Sequence, residues 1–172
     1  MVHILGHNVH DPYFRLRAQS STPSDELCSC PDSPPIKLMT ALGPNPVHCM
    51  RCNLEVLPEA VPLPIDLVDP VADWASVHDA LDRLWLDSGS YETWALGELT
   101  NPTSPTNQTG RALRSRLDRV RRCFYWLKNT ATIESCPSCH KPLTPFLGGI
   151  FPQFVCEDCS LVLVESDDQG AA

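Results

Sequence analysis

Two closely spaced cysteine pairs near the end of the sequence, CPSC at 136–139 and CEDC at 156–159, decide the fold class. The 16 residues 140–155 separate them, a length within the C-x2-C-x15–20-C-x2-C spacing of zinc sites. Two residues between thiols allow a tight turn to direct both sulfurs at one ion, and a hairpin between the pairs completes the tetrahedron. We therefore predict a zinc ribbon over 131–165. Its ligands are Cys136, Cys139, Cys156 and Cys159.

A second copy of this module stands earlier in the sequence. CMRCNLEV at 49–56 aligns with CEDCSLVL at 156–163, and CSC at 28–30 lies upstream of it. This predicts a first zinc ribbon over 28–56. Its ligands are Cys28, Cys30, Cys49 and Cys52. Because CSC is one residue shorter than the usual pair, two alternatives stay open: His48 replaces one thiol, or the module holds no metal.

Both zinc ions are predicted to be structural. A ribbon of about 30 residues buries too little surface to fold alone, so metal binding and folding form one process. Four thiolates also leave no open position for water, and the sequence contains no phosphate-binding glycine loop or nucleophile elbow. We therefore expect a protein that is not an enzyme. We expect no ligand role for Cys123 or for the trio His3, His7 and His10.

Composition excludes several classes of protein. The 172 residues carry 13 Lys and Arg against 21 Asp and Glu, a net charge of −8, which excludes a uniformly basic nucleic-acid binder. The 17 prolines exclude a helix bundle throughout. We find no apolar run long enough for a membrane span and no secretory leader, and thiols stay reduced inside cells. We therefore expect a cytoplasmic protein without a membrane partner.

Proline content and apolar periodicity divide the chain. The proline-rich stretch 23–70 predicts loops and short strands, followed by helices over 71–88 and 91–99 and a polar loop over 101–110. Leu113, Leu117, Val120, Phe124 and Leu127 recur at steps of four and three, which predicts a third helix. The predicted fold is a small, zinc-stabilised α+β protein in which two zinc-ribbon β-modules flank a three-helix central segment. Its parts are N-terminal strands plus the first ribbon (1–68), the helical segment (69–130), the second ribbon (131–165) and an acidic tail (166–172).

The predicted third helix is strongly basic, since 111–128 contains seven Lys and Arg against one acidic residue, Asp118. On a helix, its arginines lie opposite the apolar stripe, and aromatic side chains flank them. Arginine and aromatic side chains together bind phosphates and unstacked bases. The candidate residues for binding DNA or RNA are Arg111, Arg114, Arg121, Arg122, Tyr125 and Trp126.

Two alternatives to nucleic-acid binding stay open. The arginines could pair with the acidic surface of this molecule or of a partner, while the aromatic side chains pack against the neighbouring ribbon. The chain could also be a protein-interaction adaptor or inhibitor that uses its acidic surface and the Trp-containing segment 74–94.

The second half of the chain resembles a known family. LWLDSG at 84–89, FYWL at 124–127 and the cysteine pairs at 136–139 and 156–159 are similar to a bacterial family of uncharacterised zinc-ribbon-containing proteins. The resemblance covers 84–164. It implies a C-terminal zinc ribbon with the four ligands named above, and the family's name suggests a nucleic-acid role. The chain departs from the family at His140, where such turns commonly carry Gly, and in its N-terminal cysteine module.

Overall fold

A single six-stranded sheet lies at the centre of the protein. The computed structural model describes residues 11–17, 22–40, 43–130 and 133–164. The strands are β1 (Ile36–Leu38), β2 (Val47–Cys49), β3 (Cys123–Trp126), β4 (Thr144–Pro145), β5 (Gln153–Cys156) and β6 (Leu161–Val164). Their order is β2-β1-β3-β6-β5-β4, with β3 parallel to both β1 and β6 and the other pairs antiparallel. The two cysteine modules therefore share one sheet, with β3 between them.

Three α-helices pack with the sheet: α1 (Ile65–Asp87), α2 (Glu92–Thr100) and α3 (Pro105–Leu117). The Trp74 indole of α1 is 3% exposed and donates a hydrogen bond to the Thr106 carbonyl of α3 at 3.1 Å. Its ring also meets the Tyr125 ring of β3 edge-on, with centroids 5.8 Å apart. These contacts join the helices to the sheet. Within the described residues, no helix is long and apolar enough to cross a membrane.

The predicted third helix of the central segment is wrong in its extent, because residues 111–128 do not form one helix. Helix α3 begins at Pro105, inside the predicted polar loop, and ends at Leu117. A turn follows, and the remainder of the predicted helix is strand β3. Cys123, Phe124 and Tyr125 are all buried, since β3 has neighbours on both edges and is covered on both faces. A strand buried in this way has no alternation of apolar and polar residues, so its apolar positions also fit a helical period.

The first helix also differs from its prediction. It begins at Ile65 rather than after Asp69, because Leu67 and Val68 are buried against the core. Pro70 therefore lies inside the helix. The predictions for the histidine trio and for the acidic tail 166–172 fall outside the described residues.

Candidate metal centres and basic segment

The N-terminal tetrad is assembled by two short pieces of backbone. Cys49 ends β2, and Cys52 follows it on a tight turn. The Cys28 N–H donates to the Glu55 carbonyl at 2.7 Å, which holds the first pair against the second. As a result, the sulfur atoms of Cys28, Cys30, Cys49 and Cys52 all lie within 4.8 Å of one another.

His48 is not a member of this tetrad. Its side chain is 9% exposed, and its Nδ1 lies 3.0 Å from the Asn53 carbonyl oxygen. The geometry therefore favours four cysteines over the alternative in which His48 replaces a thiol.

The C-terminal tetrad has the same construction. Cys136 and Cys139 lie on one turn, and Cys156 ends β5 before the turn that carries Cys159. All four sulfur atoms lie within 4.8 Å of one another, and those of Cys139 and Cys156 are 3.5 Å apart. That separation excludes a disulfide bond, which requires about 2.05 Å.

The turns at the C-x-x-C pairs share backbone features. The Arg51 N–H points at the Cys49 sulfur at 3.3 Å, and the Ser138 N–H points at the Cys136 sulfur at 3.4 Å. The residue after the second cysteine of each such pair has a positive φ. These residues are Asn53 (60°), His140 (60°) and Ser160 (49°). The conformation at His140 explains why glycine suits this position.

Both tetrads could hold a metal ion. A tetrahedral site with metal–sulfur bonds of about 2.3 Å has sulfur–sulfur edges of about 3.8 Å, close to the spacing seen here. Without metal, burial raises the pKa of Cys28 to about 11 and that of Cys156 to about 12. By contrast, a hydrogen bond from the Lys141 backbone lowers the pKa of Cys139 to about 7. A bound cation would favour the thiolate form of all the ligands.

Sequence reasoning missed two buried polar residues beside the N-terminal tetrad. Lys37 on β1 and Gln153 on β5 are each 1% exposed, and the Lys37 ammonium donates to the Gln153 side-chain oxygen at 2.9 Å. Burial lowers the pKa of Lys37 to about 8. A buried polar side chain in a short strand needs a hydrogen-bond partner, and that partner is supplied by the three-dimensional structure. For this reason no sequence signal marks either residue.

The basic segment 111–128 does not form one arginine face, since the helix carrying its first residues ends at Leu117. Several of its side chains are engaged within the molecule. Arg122 pairs with Asp118 at 3.2 Å and with Glu157 at 2.6 Å, and Arg116 pairs with Asp66 at 2.5 Å.

The other predicted arginines make weaker or uncharged contacts. Arg114 lies 3.7 Å from Asp118. Arg121 donates to the Pro34 carbonyl at 2.7 Å, and Arg111 donates to the Pro102 carbonyl at 3.4 Å.

The aromatic side chains predicted to bind bases occupy different environments. Tyr125 is completely buried, and its hydroxyl donates to Asn107 Oδ1 at 2.7 Å. Its predicted placement beside the arginines on a helix surface is therefore wrong. Trp126 is partly exposed, and the Lys128 ammonium lies 5.9 Å from its ring centroid. Lys128 itself pairs with Asp82 at 2.6 Å.

Comparison of the chain with family models, with curated proteins and with solved structures gives no match. The resemblance over 84–164 to the zinc-ribbon family therefore stays a prediction.

Proposed function

We propose that the protein is a non-enzymatic adaptor whose fold is held by two structural zinc ions. The observation that carries the zinc assignment is the closure of each tetrad, with four cysteine sulfurs within 4.8 Å of one another. Four thiolates in a tetrahedron favour Zn²⁺ over hard cations such as Mg²⁺ or Ca²⁺, which require oxygen ligands. A closed set of this kind also leaves no position for a reacting water.

Elsewhere in the structure a hydroxyl, an imidazole and a carboxylate lie in contact, but their geometry does not indicate catalysis. Thr40 Oγ1 lies 2.8 Å from His78 Nδ1, and Asp82 Oδ2 lies 3.2 Å from the same nitrogen. In a hydrolytic triad the nucleophile and the acid contact opposite nitrogens of the ring. Because His78 is 1% exposed, this group is better explained as a buried polar contact between α1 and the loop after β1.

Metal analysis of the purified full chain tests the zinc assignment. We expect two zinc equivalents per chain under reducing conditions, and one in each of the variants Cys49→Ser/Cys52→Ser and Cys156→Ser/Cys159→Ser. Cys123→Ala is the matched control, since this cysteine lies outside both tetrads and should leave two equivalents. A wild-type chain that holds no zinc, or a different metal in both tetrads, would refute the assignment.

The adaptor role is supported by the exposed apolar side chains around the α1–α2 turn. Leu86, Tyr91 and Trp94 are exposed by 61%, 59% and 55%, respectively. Asp87, Glu92 and Glu98 lie within four residues of this group, against the one unpaired basic residue Arg83, and these residues form no ion pair among the described residues. Aromatic anchors with an acidic rim suit a protein segment that carries Lys or Arg beside apolar residues. We call Leu86, Tyr91 and Trp94 the turn surface.

Pull-down from nuclease-treated extract tests this surface. We expect a partner that is retained by the wild-type chain, released at high salt and lost with Tyr91→Ser/Trp94→Ser. Leu147→Ser is the matched control, because Leu147 is 89% exposed but lies on the β4–β5 hairpin. Equal capture by the wild type and by the Tyr91/Trp94 variant would contradict the role of the turn surface.

Nucleic-acid binding is a second candidate function, and one observation supports it. Arg111, Arg119 and Arg121 form no ion pair with a carboxylate in the part of the chain that the structure describes. Titration of labelled single-stranded and duplex oligonucleotides at several salt concentrations tests this candidate. Replacing the three arginines by Ala should flatten the salt dependence by up to about 0.7–0.9 log units of affinity per log unit of salt for each lost phosphate contact. Arg116→Ala, which removes an arginine paired with Asp66, is the control, and an unchanged slope in the triple variant would exclude this candidate.

A further inference from the structure

The C-terminal module binds the turn between two ligands of the N-terminal tetrad. Met50 and Arg51 separate the ligands Cys49 and Cys52. The Gln153 side-chain amide donates to the Met50 carbonyl at 2.8 Å, and the Ile150 N–H donates to the Arg51 carbonyl at 3.0 Å. Both carbonyls between these ligands are therefore bound by segment 150–153 of the other module.

Gln153 is held in this position from both ends of its amide. Its nitrogen binds the Met50 carbonyl, and its oxygen accepts from the Lys37 ammonium at 2.9 Å. Lys37 forms no ion pair with a carboxylate of the described residues, and its ammonium also lies 5.0 Å from the centroid of the Phe151 ring. A buried amide with both ends bonded is costly to displace, because each partner would be left unsatisfied.

The backbone beside Gln153 is shaped to admit this contact. A Cβ at Gly149 would lie 2.6 Å from the Gln153 side-chain nitrogen and 3.5 Å from the Met50 carbonyl oxygen. Glycine therefore leaves the space through which the Gln153 amide reaches the N-terminal turn.

We infer that the two tetrads bind metal cooperatively, through the contacts of Gln153 and Ile150 with the turn at 50–51. Strand β5 carries Gln153 at its first residue and the ligand Cys156 at its last, so metal in the C-terminal tetrad fixes the strand that presents Gln153. By thermodynamic reciprocity, metal in the N-terminal tetrad strengthens the C-terminal site by the same factor. The inference rests on the proposed function only in requiring that both tetrads bind metal. Contacts around metal ligands commonly change affinity about 10–100-fold, which sets the expected coupling.

Cobalt titration of the metal-free full chain measures this coupling, since Co²⁺ bound to thiolates absorbs visible light. The titration gives two stepwise Co²⁺ binding constants for the wild type. They are compared with the single binding constants of the two variants that each keep one tetrad, Cys49→Ser/Cys52→Ser and Cys156→Ser/Cys159→Ser. We expect the product of the two wild-type constants to exceed the product of the single-tetrad constants by about tenfold or more. We call the wild-type product divided by the single-tetrad product the coupling ratio, and a ratio within twofold of one would overturn the inference.

The contact itself is tested by removing both of its polar groups. Lys37→Met/Gln153→Leu should lower the ratio, although the Ile150 contact with Arg51 remains, whereas Gln108→Leu, at an exposed position of α3, should leave it unchanged. A ratio that stays at the wild-type value in the double variant would overturn the assigned route. Failure of the wild type to bind Co²⁺ in either tetrad is a different result and would refute the proposed function as well.

Hydrogen exchange gives a readout that requires no change at Lys37 or Gln153. The Ile150 N–H donates to the Arg51 carbonyl. Removing the N-terminal site with Cys49→Ser/Cys52→Ser should accelerate exchange at Ile150 about tenfold or more while the C-terminal tetrad stays loaded. Unchanged protection of this amide would contradict the coupling.

Discussion

Gly110 in α3 gives the sharpest test of how the helices pack on the sheet. A Cβ at this position would lie 2.3 Å from Tyr125 Cε2, 2.7 Å from Trp74 Nε1 and 2.9 Å from Trp74 Cε2. Both aromatic side chains are buried, so neither can move into solvent. In an exposed helix, Gly→Ala stabilises by about 1 kcal/mol, whereas overpacking a core costs about 1–3 kcal/mol and occasionally more. Three contacts below 3 Å place Gly110→Ala in the upper part of that range.

We therefore expect Gly110→Ala to destabilise the protein by a net of about 1–2 kcal/mol. Gly97→Ala is the matched control, because Gly97 lies in α2 with nothing within 4 Å of its Cβ position. This control should be stabilising by about 0.5–1 kcal/mol. The assay is urea unfolding of zinc-loaded protein at a fixed, buffered free zinc concentration, since bound metal contributes to stability. A stabilising Gly110→Ala would refute the packing of α3 against Trp74 and Tyr125.

Four further predictions concern the core, the cysteines and the turn after Cys139. Tyr125→Phe should cost about 1–3 kcal/mol in the same unfolding assay, because it leaves Asn107 Oδ1 without its buried donor, and an unchanged midpoint would contradict this contact. Cys123 is completely buried, and burial raises its pKa to about 12. A thiol reagent at pH 8 should therefore not modify this cysteine in the folded, zinc-loaded protein. Rapid labelling of Cys123, located by mass spectrometry, would be inconsistent with the fold. Zinc affinity should fall as pH falls, because thiols with raised pKa values such as Cys28 and Cys156 are protonated without metal and must release protons on binding. Calorimetry in buffers of different ionisation enthalpy should detect that proton release. A zinc affinity that does not depend on pH would argue against thiolate ligation. His140→Gly should stabilise the protein by about 1 kcal/mol, because it relieves the left-handed backbone at φ 60°, and a destabilised variant would mean that the imidazole makes a contact of its own.

The cysteine tetrads were accessible from the sequence because their geometry is mostly local. Two residues between thiols largely determine the turn, and the spacing between pairs determines the hairpin that brings the turns together. The first pair, Cys28 and Cys30, departs from this spacing, so spacing alone could not distinguish four cysteines from the alternative with His48. The Asn53 carbonyl oxygen accepts a hydrogen bond from the His48 imidazole, and Asn53 has the left-handed conformation of the turn after Cys52.

The third predicted helix failed for a physical reason that lies outside its own segment. Val120, Phe124 and Leu127 fit a helical period, but β1 and β6 supply backbone partners on both edges of β3. These partners come from 85 or more positions before and 35 or more positions after it, as in the pairs Ile36 with Cys123 and Tyr125 with Leu161. The one local signal was the run CFYW at 123–126, since aromatic residues favour strands. Similarly, the bond between Lys37 and Gln153 spans 116 positions and had no local signal.

X-ray absorption at the zinc edge of the purified, reduced full chain tests the central claim most directly. The account predicts two zinc ions per chain, each surrounded by four sulfur atoms at about 2.3 Å, with no nitrogen or oxygen neighbour. A shell containing nitrogen or oxygen would contradict the closed four-cysteine sites and would reopen His48 as a ligand or admit a reacting water.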